Sequence, residues 1–261
     1  MGLVDTHCHL DPAYFPDGPG PPMARARAAG VVGFVVIGVG DTLAPARAAV
    51  ALAEELPSEV AATVGVHPHD ARLFGEMAEE LADLARRPAV VAIGECGLDY
   101  HYDHSPRDTQ RDAFARQIAL ARAVGKPIVV HTRSAPGHTL DVLRAECRGD
   151  VRGVIHCFSE DRAFAQVALD LGFYVSFSGI VTFKNAKAIA DVAGWAPADR
   201  VLVETDSPYL APVPFRGKPC EPAYVTHTAA RVAELRGVSL EVLAQTSTHN
   251  AVTLFGRDFG G

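Results

Sequence analysis

Val90-Val91-Ala92-Ile93-Gly94-Glu95 decides the fold. Four apolar residues, a glycine and then a carboxylate make a short buried strand that ends on a charged group. Seven more apolar, largely β-branched runs occur at Leu3 to Leu10, Gly33 to Val39, Val60 to His67, Pro127 to Thr132, Gly153 to Phe158, Phe173 to Ser178 and Val201 to Asp206. Longer alanine-rich stretches separate them. Strand and helix patterns in alternation mark repeated βα units around a parallel sheet, and eight units predict a (βα)8 barrel.

The clearest helix is expected from Ser105-Pro106 to Gly125, with Ser105 as cap, Pro106 in the first turn and Phe114, Gln117, Ile118, Ala121 and Val124 at helical spacing. Past Pro219, two amphipathic stretches, Pro222 to Arg236 and Ser239 to Phe255, would supply the last barrel helix and a closing one. A chain of 261 residues with 48% hydrophobic content suits one barrel domain over residues 1–261. No low-complexity tract or charge block marks a boundary.

The chemistry lies at the ends of these runs. His7-Cys8-His9 sets two imidazoles two residues apart, on one face of a strand. Such a pair alone is a modest signal. Glu95, His131, His156 and Asp206, however, each close a later apolar run. In a parallel barrel those ends converge on the mouth, where active sites are built. Burying so many polar groups together without a charge to coordinate would be costly. His7, His9, Glu95, His131, His156 and Asp206 are therefore the candidate ligands of one or two divalent cations, with Mg, Mn and Zn all compatible with a nitrogen and oxygen donor set.

Six donors exceed what one catalytic ion takes from protein, so two ions bridged by a carboxylate is the economical arrangement, with Glu95 as the bridge. Asp206 would ligate one ion and accept a proton from the attacking water, which makes Glu95 and Asp206 the expected catalytic carboxylates. Glu204, two residues deeper on the same face, either supports a ligand or is hydrogen-bonded inside the barrel. By the same alternation, Cys8, Cys96 and Cys157 should face the helices as packing thiols.

Together, Val4-Asp5-Thr6-His7-Cys8-His9-Leu10, Gly65-Val66-His67-Pro68-His69, Gly94-Glu95-Cys96-Gly97-Leu98-Asp99-Tyr100, His131-Thr132-Arg133, His156-Cys157-Phe158-Ser159 and Glu204-Thr205-Asp206-Ser207-Pro208-Tyr209 resemble the TatD family of metal-dependent deoxyribonucleases. The resemblance runs from the first strand nearly to the C-terminus. It implies a barrel of the amidohydrolase-like group, divalent ions at the six positions, and a hydrolase of ester bonds that releases nucleotides from the 3′ end of single-stranded DNA. Cys220 departs from the family, which would carry Asn before Glu221-Pro222. Glu95, where many of the wider group use a carboxylated lysine, favours the nuclease branch.

On the substrate side, His67 is placed to hold a phosphate oxygen or a base. Arg133, two residues after His131, could pair with a phosphate near the ions. Tyr100, His101 and Tyr102 offer faces for an unstacked base. The rival reading is an amidohydrolase-type enzyme acting on a small amide, lactone or phosphoester with the same centre. A barrel acting only as a scaffold would be expected to have lost ligands, and all six are intact.

The net charge of −7 argues against a protein that coats nucleic acid through a broad basic surface, but leaves room for a phosphate-reading cleft. Five cysteines without CxxC pairs suit reduced thiols. The start, Met-Gly-Leu-Val-Asp, enters a strand at once without signal-peptide features, and no apolar run is long enough to span a bilayer. A cytoplasmic monomer without membrane partners is the expectation.

Overall fold

The computed structural model describes residues 2–10, 12 and 14–260. Its eight strands are β1 (Leu3–Cys8), β2 (Val31–Gly38), β3 (Val60–Val64), β4 (Val90–Asp99), β5 (Ile128–Arg133), β6 (Gly153–Ile155), β7 (Tyr174–Phe177) and β8 (Val201–Val203). They pair in sequence order, every pair parallel, from β1 to β8. The helices between them are α1 (Gly20–Ala28), α2 (Ala44–Glu55), α3 (Phe74–Ala85), α4 (Arg107–Val124), α5 (Pro136–Cys147), α6 (Arg162–Asp170), α7 (Lys187–Trp195) and α8 (Val225–Arg236), followed by α9 (Leu240–Phe255). This is the (βα)8 barrel expected from the alternating pattern. No helix among the described residues is long and apolar enough to cross a membrane.

The ring closes by an unusual seam. β8 is only three residues long, and the join to β1 is made beyond it: Asp206 N–H donates to the His7 carbonyl and His9 N–H to the Ser207 carbonyl, both at 2.9 Å. Behind the seam the buried Asp5 carboxylate accepts the Thr205 hydroxyl at 2.6 Å and the Thr205 N–H at 2.9 Å. Burial pushes this carboxyl up to about 8, although the Thr205 bonds pull the other way.

Two apolar clusters follow from strand alternation. The inner one takes Val4, Val35, Ala61, Val91, Val129, Val154, Tyr174 and Leu202, with every strand contributing, and Leu254 and Phe255 of α9 cover it with Phe259. The outer cluster holds the other strand faces, including Phe34, Ile93 and Val130, against helix residues such as Leu81, Phe114 and Ile118.

Helix α4 begins one residue later than expected, with Pro106 in place of Ser105 at its cap. Pro106 is extended (ψ 139°) and no side chain caps the helix. Ser105 instead donates its hydroxyl to the His69 carbonyl at 2.7 Å, which ties this loop to the one after β3. The end is as expected, with Gly125 in the left-handed region at φ 67°.

Two residues of α4 that periodicity assigns to packing do more. Gln117 accepts the Val66 N–H at 2.8 Å and donates to the Val66 carbonyl at 3.0 Å. Gln110 does the same for Asp99, at 2.8 and 3.1 Å. These buried amides hold the backbone where β3 and β4 open toward the mouth. Gln117→Leu keeps the bulk but strands both polar groups of Val66, and should lower the unfolding free energy by about 2 kcal/mol, read as a lower urea midpoint with an unchanged slope.

Candidate metal centre

Alternation alone would misplace the central carboxylate. Ile93 faces the helices, so Glu95, two residues on, should face them too. It does not, because β4 takes three steps from Ile93 to Cys96 while β5 takes two, from Ile128 to Val130. The extra residue is a β-bulge, and it returns Cys96 to the outer side while Glu95 turns inward. β1 repeats the device: Asp5 and Cys8 pair with Phe34 and Val36, and the bulge between them turns His7 inward. Cys8 and Cys96 consequently lie buried on the helix side, their thiols 3.6 Å from the Val35 and Val129 carbonyls. Cys157 departs from the expectation. It is half-buried near the mouth, in the left-handed region (φ 45°), with Sγ 3.2 Å from Ser178 Oγ.

The other donors stand at or just past strand ends. His156 follows β6, and Asp206 follows β8 at φ 58°. His131 lies in β5 and His67 beyond β3. All six expected ligands come together. Glu95 is their hub: Oε1 stands 2.8 Å from His131 Nδ1, 2.8 Å from His156 Nε2 and 3.4 Å from His67 Nε2, while Oε2 stands 3.4 Å from His7 Nε2. Asp206 Oδ1 lies 3.6 Å from His7 Nε2 and 3.7 Å from His9 Nε2. Among the described residues, three sets have donor atoms within 4.8 Å of one another: His7, His9 and Glu95; His7, His156 and Asp206; His67, Glu95 and His131.

Hydrogen bonds fix which ring nitrogen is presented. Asp99 Oδ2 lies 3.1 Å from His131 Nε2, and Glu204 Oε1 lies 3.2 Å from His156 Nδ1. Each carboxylate takes one ring proton and leaves the opposite nitrogen toward Glu95. Glu204 also accepts the Cys157 N–H at 2.7 Å, so its role is to support a ligand. His67 is different. Its Nδ1 accepts the His69 N–H at 3.2 Å, which makes Nε2 the protonated nitrogen of the neutral ring, a donor and not a ligand atom. On this ground the third set loses one member.

Burial would raise the Glu95 carboxyl, but the charge of His156 and the bonds from His131 and His156 hold it well below the usual range. Burial lowers His156, and Glu95 and Glu204 overcome it and carry the imidazole well upward. Burial together with the nearby His156 pushes His7 down, and burial takes His67 down to about 4. Both rings are therefore neutral. Among the described residues, neither buried nitrogen of His7 has a hydrogen-bond partner, although its ring stacks on His156 at 3.9 Å. A buried polar group left that way costs about 1–3 kcal/mol. A cation held by His7 with His9 and Glu95, or by His7 with His156 and Asp206, would satisfy the His7 Nε2, and the donor set suits a divalent metal.

Arg133 stands outside this cluster, exposed at the rim with its guanidinium 4.8 Å from the Tyr102 ring centre. Of the loop aromatics, Tyr102 is half-exposed and stacks on His104, whereas Tyr100 is turned to His138, with its hydroxyl 3.1 Å from Nδ1. Cys220 holds its loop through the backbone, its N–H donating to the Pro208 carbonyl at 2.9 Å, so the missing Asn side chain does not undo this contact. Residues that the motifs did not single out as functional are Asp99, Gln110 and Gln117. A polar residue on the apolar face of an amphipathic helix was the available signal for the two glutamines.

Over residues 4–256 the chain matches the family described as TatD related DNase. It is 45% identical to the uncharacterized metal-dependent hydrolase YcfH of Escherichia coli (strain K12), over 99% of this chain and 97% of that protein. It is 38% identical to the 3′-5′ ssDNA/RNA exonuclease TatD of Klebsiella pneumoniae (strain 342), over 92% of each. Among solved structures, the TatD homologue YjjV of Escherichia coli K12 superposes with a TM-score of 0.87 at 29% identity, covering 97% of this chain and 98% of that one.

Proposed function

The chain belongs to the TatD-related DNase family of metal-dependent hydrolases, and from that premise we propose that it removes nucleotides from the 3′ end of single-stranded DNA. One or two divalent cations would be held by His7, His9, Glu95, His131, His156 and Asp206. The observation that carries the reading is the two-sided use of Glu95, with Oε2 toward His7 and Oε1 toward His131 and His156. A carboxylate that faces two donor sets is what a bridge between ions requires.

Bound divalent cations supply positive charge against a phosphoryl group and lower the pKa of water. The protein does the rest. Asp206, reached by His7 and His9, accepts a proton at Oδ1. His67 donates from Nε2 to a phosphoryl oxygen, the tautomer set by the His69 backbone. Arg133, its guanidinium 4.8 Å from the Tyr102 ring centre, meets the next phosphate at the rim. Asp99 and Glu204 keep His131 and His156 in one orientation.

The test is chelated protein, reconstituted separately with Mg²⁺, Mn²⁺ and Zn²⁺, on a 5′-fluorescent single-stranded oligonucleotide. A ladder shortened from the 3′ end, dependent on added metal, is the expected result. An intact oligonucleotide under all three ions would end the proposal.

A further inference from the structure

Six large hydrophobic side chains are exposed among the described residues: Tyr14, Tyr102, Tyr209, Val213, Val238 and Val242. The three aromatic ones all stand at the mouth, in the loops after β1, β4 and β8. Tyr102 is engaged by His104 and Arg133. Tyr14 and Tyr209 form a separate pair on the other side. The Tyr209 hydroxyl donates to the Tyr14 hydroxyl at 2.6 Å, and the ring centres are 5.7 Å apart at 73°. Both rings meet His9 edge to face, at 6.2 and 6.1 Å. The pair is thus one ring removed from Asp206, yet its members stay 41% and 47% exposed.

We propose that Tyr14 and Tyr209 form the seat for a nucleobase adjoining the scissile phosphate. The inference rests on the phosphodiester reading above and adds how the strand is gripped. Large aromatic rings that stay partly exposed beside a polar centre suit a flat partner, and stacking on tyrosine tolerates every base because each has a π face. The hydroxyl bond orients the rings before the strand arrives, so little side-chain freedom is lost on binding. The seat would grip a strand without reading its sequence.

The test sets wild type against Tyr14→Ala, Tyr209→Ala, Tyr14→Phe and Tyr209→Phe in the Mn²⁺-loaded protein. One substrate is a short thymidine oligonucleotide. The other is the same chain with tetrahydrofuran abasic residues at its last two positions. Thermal melting checks folding, and Tyr→Leu variants replace any Ala variant that fails it. The Ala variants should lose about 10-fold in the ratio of kcat/KM on the intact over the abasic chain, mostly through KM, while the Phe variants keep the ratio within about 2-fold. An unmoved ratio in a folded Ala variant overturns the seat, and so does a Phe variant as impaired as Ala. If wild type shortens neither chain with any metal, the phosphodiester reading falls by itself. Fluorescence anisotropy then decides the seat: preference for the intact chain that the Ala variants lose supports it, and equal affinity for both chains overturns it.

Discussion

Glu95→Ala should abolish metal-dependent hydrolysis, with a loss well beyond about 100-fold. Changing a residue that merely supports a metal ligand costs about 10–100-fold in affinity or activity, and Glu95 occupies the centre. Its two oxygens are the shared neighbours of His7, His67, His131 and His156. Removing the carboxylate takes away the negative charge that balances two imidazoles drawn upward in pKa, His131 and His156. It also leaves the donor atoms of two facing sets without a link. Metal content after dialysis should fall in the same variant, and Glu95→Gln, which keeps the shape without the charge, should be nearly as impaired. Equal turnover in Glu95→Ala and wild type at saturating Mn²⁺ would remove Glu95 from the mechanism.

Gly97→Ala should be the most damaging small substitution in the barrel, costing more than about 4 kcal/mol. Gly97 has φ +142°, a region that side-chain-bearing residues rarely adopt. A Cβ there would sit 2.0 Å from the His131 carbonyl oxygen and 2.9 Å from its carbon. Both atoms belong to the backbone of β5 and cannot swing aside. Gly97 pairs in register with His131, so the clash would push a candidate ligand strand away from Glu95. Typical domains are stable by only about 5–15 kcal/mol, and the variant should be largely insoluble or melt far below wild type. Gly75→Ala is the control. Gly75 is exposed in the first turn of α3 with open space around its Cβ direction, and the change should be neutral or mildly stabilising. A Gly97→Ala protein that unfolds at the wild-type urea midpoint would refute the packing argument.

Much of this was legible in the chain because a repeated βα pattern reports its own strand ends. Glu95, His131, His156 and Asp206 could be gathered at one mouth from position alone. The bulges in β1 and β4 were not legible. An inserted residue changes which face a side chain takes without changing composition, and only Gly94 and Gly97 flank the second one as a hint. The donor role of His67 depends on a backbone N–H two residues on, an orientation that no spacing specifies. Ser105 was misread because a serine before proline has the look of a helix cap, while here the loop after β3 claims its hydroxyl. The tyrosine pair lay beyond reach for a simpler reason: 195 positions separate its members.

The seam between β1 and the segment after β8 governs when the centre can exist at all. Its bonds span about three quarters of the 261-residue chain, 197 positions from Thr6 to Val203 and 200 from Asp5 to Thr205. Contacts of such separation carry a large loop-closure entropy, which slows their formation. During synthesis, therefore, His7 and His9 leave the ribosome long before Asp206 does, and wait without the carboxylate they face in the finished protein. The nascent chain carries only part of the proposed donor set until its last quarter is made, so on the proposed ligand set tight metal capture would require the completed ring.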